Sequence, residues 1–343
     1  MHAEYGGVVP ELAAREHLRN FLPVAQSALS QAGVTAAQLD AVAATQGPGL
    51  PTALLVGFKA GQALAFALRK PFLGIHHHEA HLYSPWIRSR SVAVPGHSDG
   101  RTAMVSKTTR SSGVDHVAVA EDGHTPPRAE FENFQPNVSL IVSGGHTMLV
   151  HVESELNHRV LGGTIDDAAG ECFDKAGKLM GLPYPAGPVI DRLAEKGNPK
   201  AYDFPRPLLN DANDDFSFSG LKTSIRYFLR DHPALLENDQ SLRDLCASVQ
   251  AAIVEVLVKK TLRAAKRLGV KCVTASGGVT CNHALRTELA RACERNHLTL
   301  RLAEKTLCTD NAAMIGILAE RKLLAGHVAV SLDEDIQPGW ALA

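Results

Sequence analysis

The chain has 343 residues, 45% of them hydrophobic, and a formal net charge of -1. That length and apolar content suit a large core in two lobes rather than one, and the near-neutral charge argues against broad attraction to nucleic acid, leaving RNA contact to a local basic patch or a basic partner. No apolar run reaches membrane-spanning length, no secretion signal opens the chain, and Cys172, Cys246, Cys272, Cys281, Cys293 and Cys308 form no Cys-x-x-Cys pair, so reduced thiols and a cytoplasmic setting are expected.

In chain order, Leu12, Leu18, Leu22, Ala25 and Leu29 have helical spacing over residues 11–31, with Gly33 as the stop. A strand over 41–44, a glycine- and proline-rich turn over 46–52, a helix to residue 68 and a strand over 72–75 follow. This is the grammar of an α/β protein. Residues 89–134 lack a sustained apolar period and are rich in Ser, Thr, Gly, Pro and Arg, which predicts a flexible insertion. Its basic residues, with Arg101, Lys107 and Arg110 among them, fit solvated disorder better than an RNA contact. Order resumes with buried strands through 138–142 and up to 152, then at 272–275. Helices are expected over 165–180, 187–196, 219–230, 242–268 and 310–324.

The run His76-His77-His78-Glu79-Ala80-His81 follows a strand and opens a helix, so His77 and His81 share a face four residues apart, a spacing at which two imidazoles bind one metal ion. The protease pattern His-Glu-x-x-His fails, because Leu82 stands where its second histidine is needed. Ser143-Gly144-Gly145-His146-Thr147 and Ser276-Gly277-Gly278-Val279-Thr280 each follow a buried strand. Paired glycines there let backbone amides approach an anion, and two such turns fit a phosphate clamp better than mere tight packing. Asp167, Glu171 and Asp174 would share a face of a helix starting at Asp166, either as a solvated face or as acceptors for ribose hydroxyls. Thr309 or Asp310 reads as the N-cap of the last helix, with Asp310 alternatively a third metal ligand. Ser219 reads as an N-cap and Phe218 as core.

Taken together, YGGVVPELAAREH, GPGL, HHHEAH, SGGHT, DDAAGECFDK, PYPAGP, FSFSGLKT, SGGVTCN and CTDNAAM resemble, in order, the tRNA N6-adenosine threonylcarbamoyltransferase family, formerly called O-sialoglycoprotein endopeptidases. The resemblance spans nearly the whole chain apart from the insertion. It implies an actin-like, sugar-kinase-like (ASKHA) α/β fold of two ribonuclease-H-like lobes with the active site between them: residues 1–137 as lobe one, 138–308 as lobe two, and 309–343 returning to lobe one. It also implies transfer of the threonylcarbamoyl group from threonylcarbamoyl-AMP to N6 of adenosine 37 in tRNAs reading codons that start with A, with release of AMP.

Carried over by position, the metal ligands are His77, His81 and Asp310, holding one divalent metal, iron(II) before zinc. Substrate contacts fall on Ile141, Val142, Ser143, Gly144, Gly145, Asp174, Gly187 and Asn282, and no general base is identified. The expected partners are tRNA, a paralogous subunit of the same fold and a small ATPase. Family members begin with a strand and an acidic loop ahead of the segment that here starts at Tyr5. A start codon placed too far downstream is the preferred explanation, a truncated product with an incomplete lobe the alternative. A non-catalytic nucleotide-binding scaffold and, less favoured, a metalloprotease are the competing functions.

Overall fold

The computed structural model describes residues 9–90, 117–118 and 128–342. Helix α1 (Pro10–Ala32) starts on a proline, where the missing amide costs nothing, and stops at Gly33 in the left-handed region. Strands β1 (Val42–Gly47) and, after helix α2 (Pro51–Leu68), β2 (Phe72–His76) pair in parallel with Val42 opposite Phe72. Helix α2 buries Leu54, Phe58, Gly61, Gln62 and Ala65, and Phe58 meets Phe72 edge-on with ring centroids 5.1 Å apart. Against the sequence expectation, α2 is long and apolar enough to cross a membrane by length and composition. One face of it packs into the core through Leu54, Phe58 and Ala65, whereas Leu55 and Phe66 on the other face are exposed.

Helix α3 (His77–His81) continues directly from β2. Strand β3 (Ile87–Arg90), the two-residue β4 (Val117–Ala118) and β5 (Arg128–Phe131) then form an antiparallel sheet with β5 in the middle. This corrects the expectation that 89–134 is flexible throughout. Its ends pair with each other across a long sequence gap, and Phe131 and Phe134 pack on Tyr83, with Phe134 also on Trp86. Arg101, Lys107 and Arg110 lie outside the described residues.

The second sheet is built on β6 (Asn137–Val142), buried along its whole length. Strands β7 (Thr147–Ser154) and β8 (Asn157–Gly163) run antiparallel beside it as a meander. Helices α4 (Ala169–Leu179), α5 (Gly187–Ala194), α6 (Ser219–Asp231) and α7 (Asp239–Leu268) precede β9 (Cys272–Ser276), which pairs in parallel on the other side of β6. Helix α8 (His283–Arg295) then leads to β10 (Thr299–Leu302), giving the order β10-β9-β6-β7-β8. The short α9 (Lys305–Cys308) and α10 (Ala312–Leu324) follow. The final segment returns to the first sheet, where Val330 N–H donates to the Phe72 carbonyl at 2.9 Å and Gln337 N–H to the Gln46 carbonyl at 2.8 Å.

Helix α4 begins at Ala169, four residues later than the sequence pattern suggests. The reason is Asp166, whose carboxylate accepts from the Phe218 amide at 2.8 Å, the Ser219 amide at 3.3 Å, and the Ser217 and Ser219 hydroxyls at 2.5 and 2.6 Å. It caps α6 from fifty residues away, in place of the local cap expected of Ser219. Burial alone would raise its pKa, but these bonds outweigh that and hold it below the usual carboxylate value. Asp166→Ala is expected to lower stability by about 1 kcal/mol, the scale of a lost N-cap on an exposed group. Because the folded pKa is depressed, the difference between wild type and variant should be full at neutral pH and fade as pH falls through the acid range, checked by urea melts at both pH values.

Candidate functional site

Two elements bring the metal-ligand candidates together. Helix α3 is only one turn long, and it is fixed at its start by His76, whose Nδ1 accepts the Glu79 amide at 3.3 Å. That turn sets His77 and His81 side by side with ring centroids 4.8 Å apart. Asp310 arrives from the segment between α9 and α10, and its Oδ1 lies 3.2 Å from both His77 Nε2 and His81 Nε2. Asn311, rather than Thr309 or Asp310, caps α10 by accepting the Met314 amide at 2.9 Å. That correction leaves the Asp310 carboxylate free for the imidazoles.

The donor set fits a divalent cation. Its three ligand atoms lie within 4.8 Å of one another, and donors each about 2.0–2.2 Å from one ion stand roughly 3 to 3.5 Å apart. Burial pushes the His81 pKa down, against the opposing pull of Asp310, which favours the neutral imidazole that a metal requires. Asp310 is held far below the usual carboxylate range by its bonds to His77 and His81, and its side chain stays 74% exposed toward the cleft. His76 and His78 point away from this pair. Both are buried, and His78 meets His146 edge-on at 4.0 Å. Glu79 is buried too and pairs with Lys322 Nζ at 2.7 Å, which joins α3 to α10 and leaves no free carboxylate for a protease-type base.

The cluster stands in a cavity of about 2870 Å³ that also reaches α1 and β1. Its polar end is lined by Ser143, Gly144, Gly145, His146, Asp174 and Gly278 along with His77 and Asp310. The two glycine turns differ in kind. A Cβ on Gly277 would overlap the Val142 carbonyl, and its φ of +93° already demands glycine, so packing accounts for it. Gly144 and Gly145 have neither restraint, since a Cβ on either would meet nothing within 4 Å. Their bareness keeps space open on the cleft side. Ser143 closes this turn, its Oγ accepting the His146 amide at 3.1 Å and its own amide donating to the His146 carbonyl at 2.8 Å.

The remaining candidates divide. Asp174 lines the cleft and accepts from the amides of Ala186 at 2.8 Å and Gly187 at 3.4 Å. Gly187 opens α5 just behind Ala186, and it is Ala186 that reaches the cavity wall. Ile141 and Val142 are fully buried in β6 and support the turn without lining the cleft. Asn282 is absorbed in capping α8 through the Leu285 amide and in donating to Gln250 Oε1 at 2.6 Å, and it too stays outside the cavity lining. Asp167 and Glu171 were expected on one helix face with Asp174. Asp167 instead precedes the helix, and both acids are bound by Lys175 Nζ at 2.7 Å, with Lys222 Nζ 3.2 Å from Asp167. His146 and Gly278 line the site and were not singled out from sequence, although each stands within a motif that was, and Thr309, read from sequence only as a cap, lines it too.

The profile of the tRNA N6-adenosine threonylcarbamoyltransferase family matches residues 1–110 and 112–317. Curated relatives of that name include those of Variovorax paradoxus, 44% identical over 100% of this chain and 86% of its own length, and Geotalea uraniireducens, 43% identical over 100% and 87%. The relative from Chlorobium phaeobacteroides is 45% identical over 95% of this chain and 83% of its own. Among solved structures, a crystal structure of HypF from T. kodakarensis superposes with a TM-score of 0.56 at 14% identity, over 86% of this chain and 42% of that one. At that identity the likeness concerns fold alone, and the fold is the actin-like, sugar-kinase-like one. With the profile covering most of the chain and whole-chain relatives above 40% identity, this protein belongs to the tRNA N6-adenosine threonylcarbamoyltransferase family.

Proposed function

We propose that this chain transfers the threonylcarbamoyl group from threonylcarbamoyl-AMP to N6 of adenosine 37 in tRNAs reading codons that start with A, releasing AMP. The observation that carries the reading at the level of the site is the meeting of His77, His81 and Asp310 beside the bare Gly144-Gly145 turn. An exocyclic adenine amine is a poor nucleophile, so the acyl carbon must be made electrophilic and the AMP phosphate a stable leaving group. The amides of Gly144 and Gly145, held by the closed Ser143–His146 turn, supply fixed donors for the charge that gathers on that phosphate. Asp174, itself fixed by the Ala186 and Gly187 amides, supports orientation of the donor rather than proton transfer.

His77, His81 and Asp310 would hold one divalent ion, iron(II) in preference to zinc. When bound, it supplies Lewis-acid stabilisation of phosphate charge. Of the substrate contacts implied by resemblance, Ser143, Gly144, Gly145 and Asp174 act directly in this reading, while Ile141, Val142, Gly187 and Asn282 act by supporting backbone. The chain divides in the same reading into 1–137, 138–308 and a returning 309–343. It works in the cytoplasm with a paralogous subunit of the same fold and a small ATPase.

Incubation of the purified protein with unmodified tRNA, threonylcarbamoyl-AMP and those accessory proteins should give threonylcarbamoyladenosine by nucleoside mass spectrometry; binding of nucleotide without product would favour the scaffold function instead. His77→Ala and His81→Ala should each abolish stoichiometric metal, measured by elemental analysis, together with turnover, and metal retained in both would refute the ligand assignment. Glu79→Gln should cost roughly 1–3 kcal/mol of stability by unpairing Lys322 yet leave the chemistry measurable. Complete loss of activity in a folded, metal-loaded Glu79→Gln protein would instead give Glu79 the catalytic role of a protease base.

A further inference from the structure

Cys281 and Cys308 are used by nothing in the reaction described above, yet they stand at a junction of the site. Cys281 ends the turn Gly278–Cys281 that follows the second glycine loop, and Cys308 ends α9, two residues before Asp310. Cys281 Sγ reaches the Lys305 carbonyl of α9 at 3.8 Å, which sets the two thiols near each other where the turn meets the end of that helix. Arg286 clasps both segments: its Nε donates to the Thr280 carbonyl at 2.6 Å, and its Nη2 donates to the Ala303 carbonyl at 2.7 Å and to Cys308 Sγ at 3.1 Å. Cys281 is partly exposed, whereas the other five cysteines are buried. A diffusing oxidant therefore meets Cys281 first.

We propose that Cys281 and Cys308 form a reversible dithiol–disulfide switch, oxidised by a peroxide, that controls the placement of Asp310. In the first step the Cys281 thiol is oxidised to a sulfenic acid while hydrogen peroxide is reduced to one water. Cys308 sulfur then attacks Cys281 sulfur, the S–S bond forms, and the departing hydroxide takes the Cys308 proton to leave as a second water. Two thiols are oxidised and one peroxide is reduced. A disulfide draws sulfurs from van der Waals contact to about 2.05 Å, which pulls the end of α9 toward the turn. Asp310, two residues on, touches both imidazoles through a single oxygen, so a shift on the scale of an ångström separates it from them. This second part rests on the metal reading above.

The test uses chelator-stripped protein, so that no bound iron reacts with the oxidant. Stoichiometric hydrogen peroxide should remove two hydrogens from the intact mass and give a linked peptide containing Cys281 and Cys308, both reversed by a phosphine reductant. The Cys281→Ser variant should show neither. Zinc affinity, measured by competition with a chromophoric chelator, should be at least about tenfold weaker in the oxidised protein than in the reduced, and unchanged by peroxide in Cys281→Ser. Absence of the linked peptide overturns the pair. A linked protein with unaltered zinc affinity overturns the coupling to Asp310, and a reduced protein that binds no zinc overturns the metal reading while the linked peptide still reports on the thiols.

Discussion

The contact of one Asp310 oxygen with two imidazoles is the constraint on which the site depends. It joins residues 229 positions apart in sequence, so it exists only when the chain has closed on itself. Helix α3 alone supplies two ligands at helical spacing, a pattern that binds metal weakly and is common on surfaces. Closure adds the anion that turns two neutral donors into a cation site. The buried Glu79–Lys322 pair works in parallel, tying α3 to α10 just beyond the aspartate. Two links between the same segments restrict both translation and rotation of the ligands, which a single contact would not do.

The two sheets divide the remaining work. The second provides the floor: β6 is buried along its whole length and paired on both sides, and the turn projects from its end. A turn anchored this way can leave Gly144 and Gly145 bare without collapsing into the gap. The first sheet supplies the histidine helix as a direct continuation of β2, so the position of the imidazoles follows from strand pairing. The final segment, bonded to β1 and β2 through backbone groups, reinforces that sheet. The cleft is thus bounded by two independently braced walls with the metal cluster near their junction.

Much of this was legible in the sequence, and the failures share one cause. Continuous apolar strands, the stop at Gly33 and the pairing of His77 with His81 are local, and local chemistry sets them. The start of α4 was misplaced because Asp166 bonds residues 217–219, a partner no window contains. Strands β3 and β5 went unseen because each is stabilised by the other across the insertion. The two Ser-Gly-Gly turns looked equivalent as letters, yet one is glycine because the Val142 carbonyl crowds it and the other because the space must stay open. Asn282 fits its motif, but its side chain is spent on a helix cap and Gln250, a competition that spacing does not disclose.

X-ray absorption at the zinc edge of the zinc-loaded protein tests the closure of this centre most directly. The account predicts a first shell of nitrogen and oxygen donors at about 2.0–2.2 Å, with imidazole outer-shell scattering from two histidines that falls to one in His77→Ala protein carrying residual metal. A sulfur shell at about 2.3 Å, which would enlist the cysteine beside Asp310, or a shell without imidazole would contradict it.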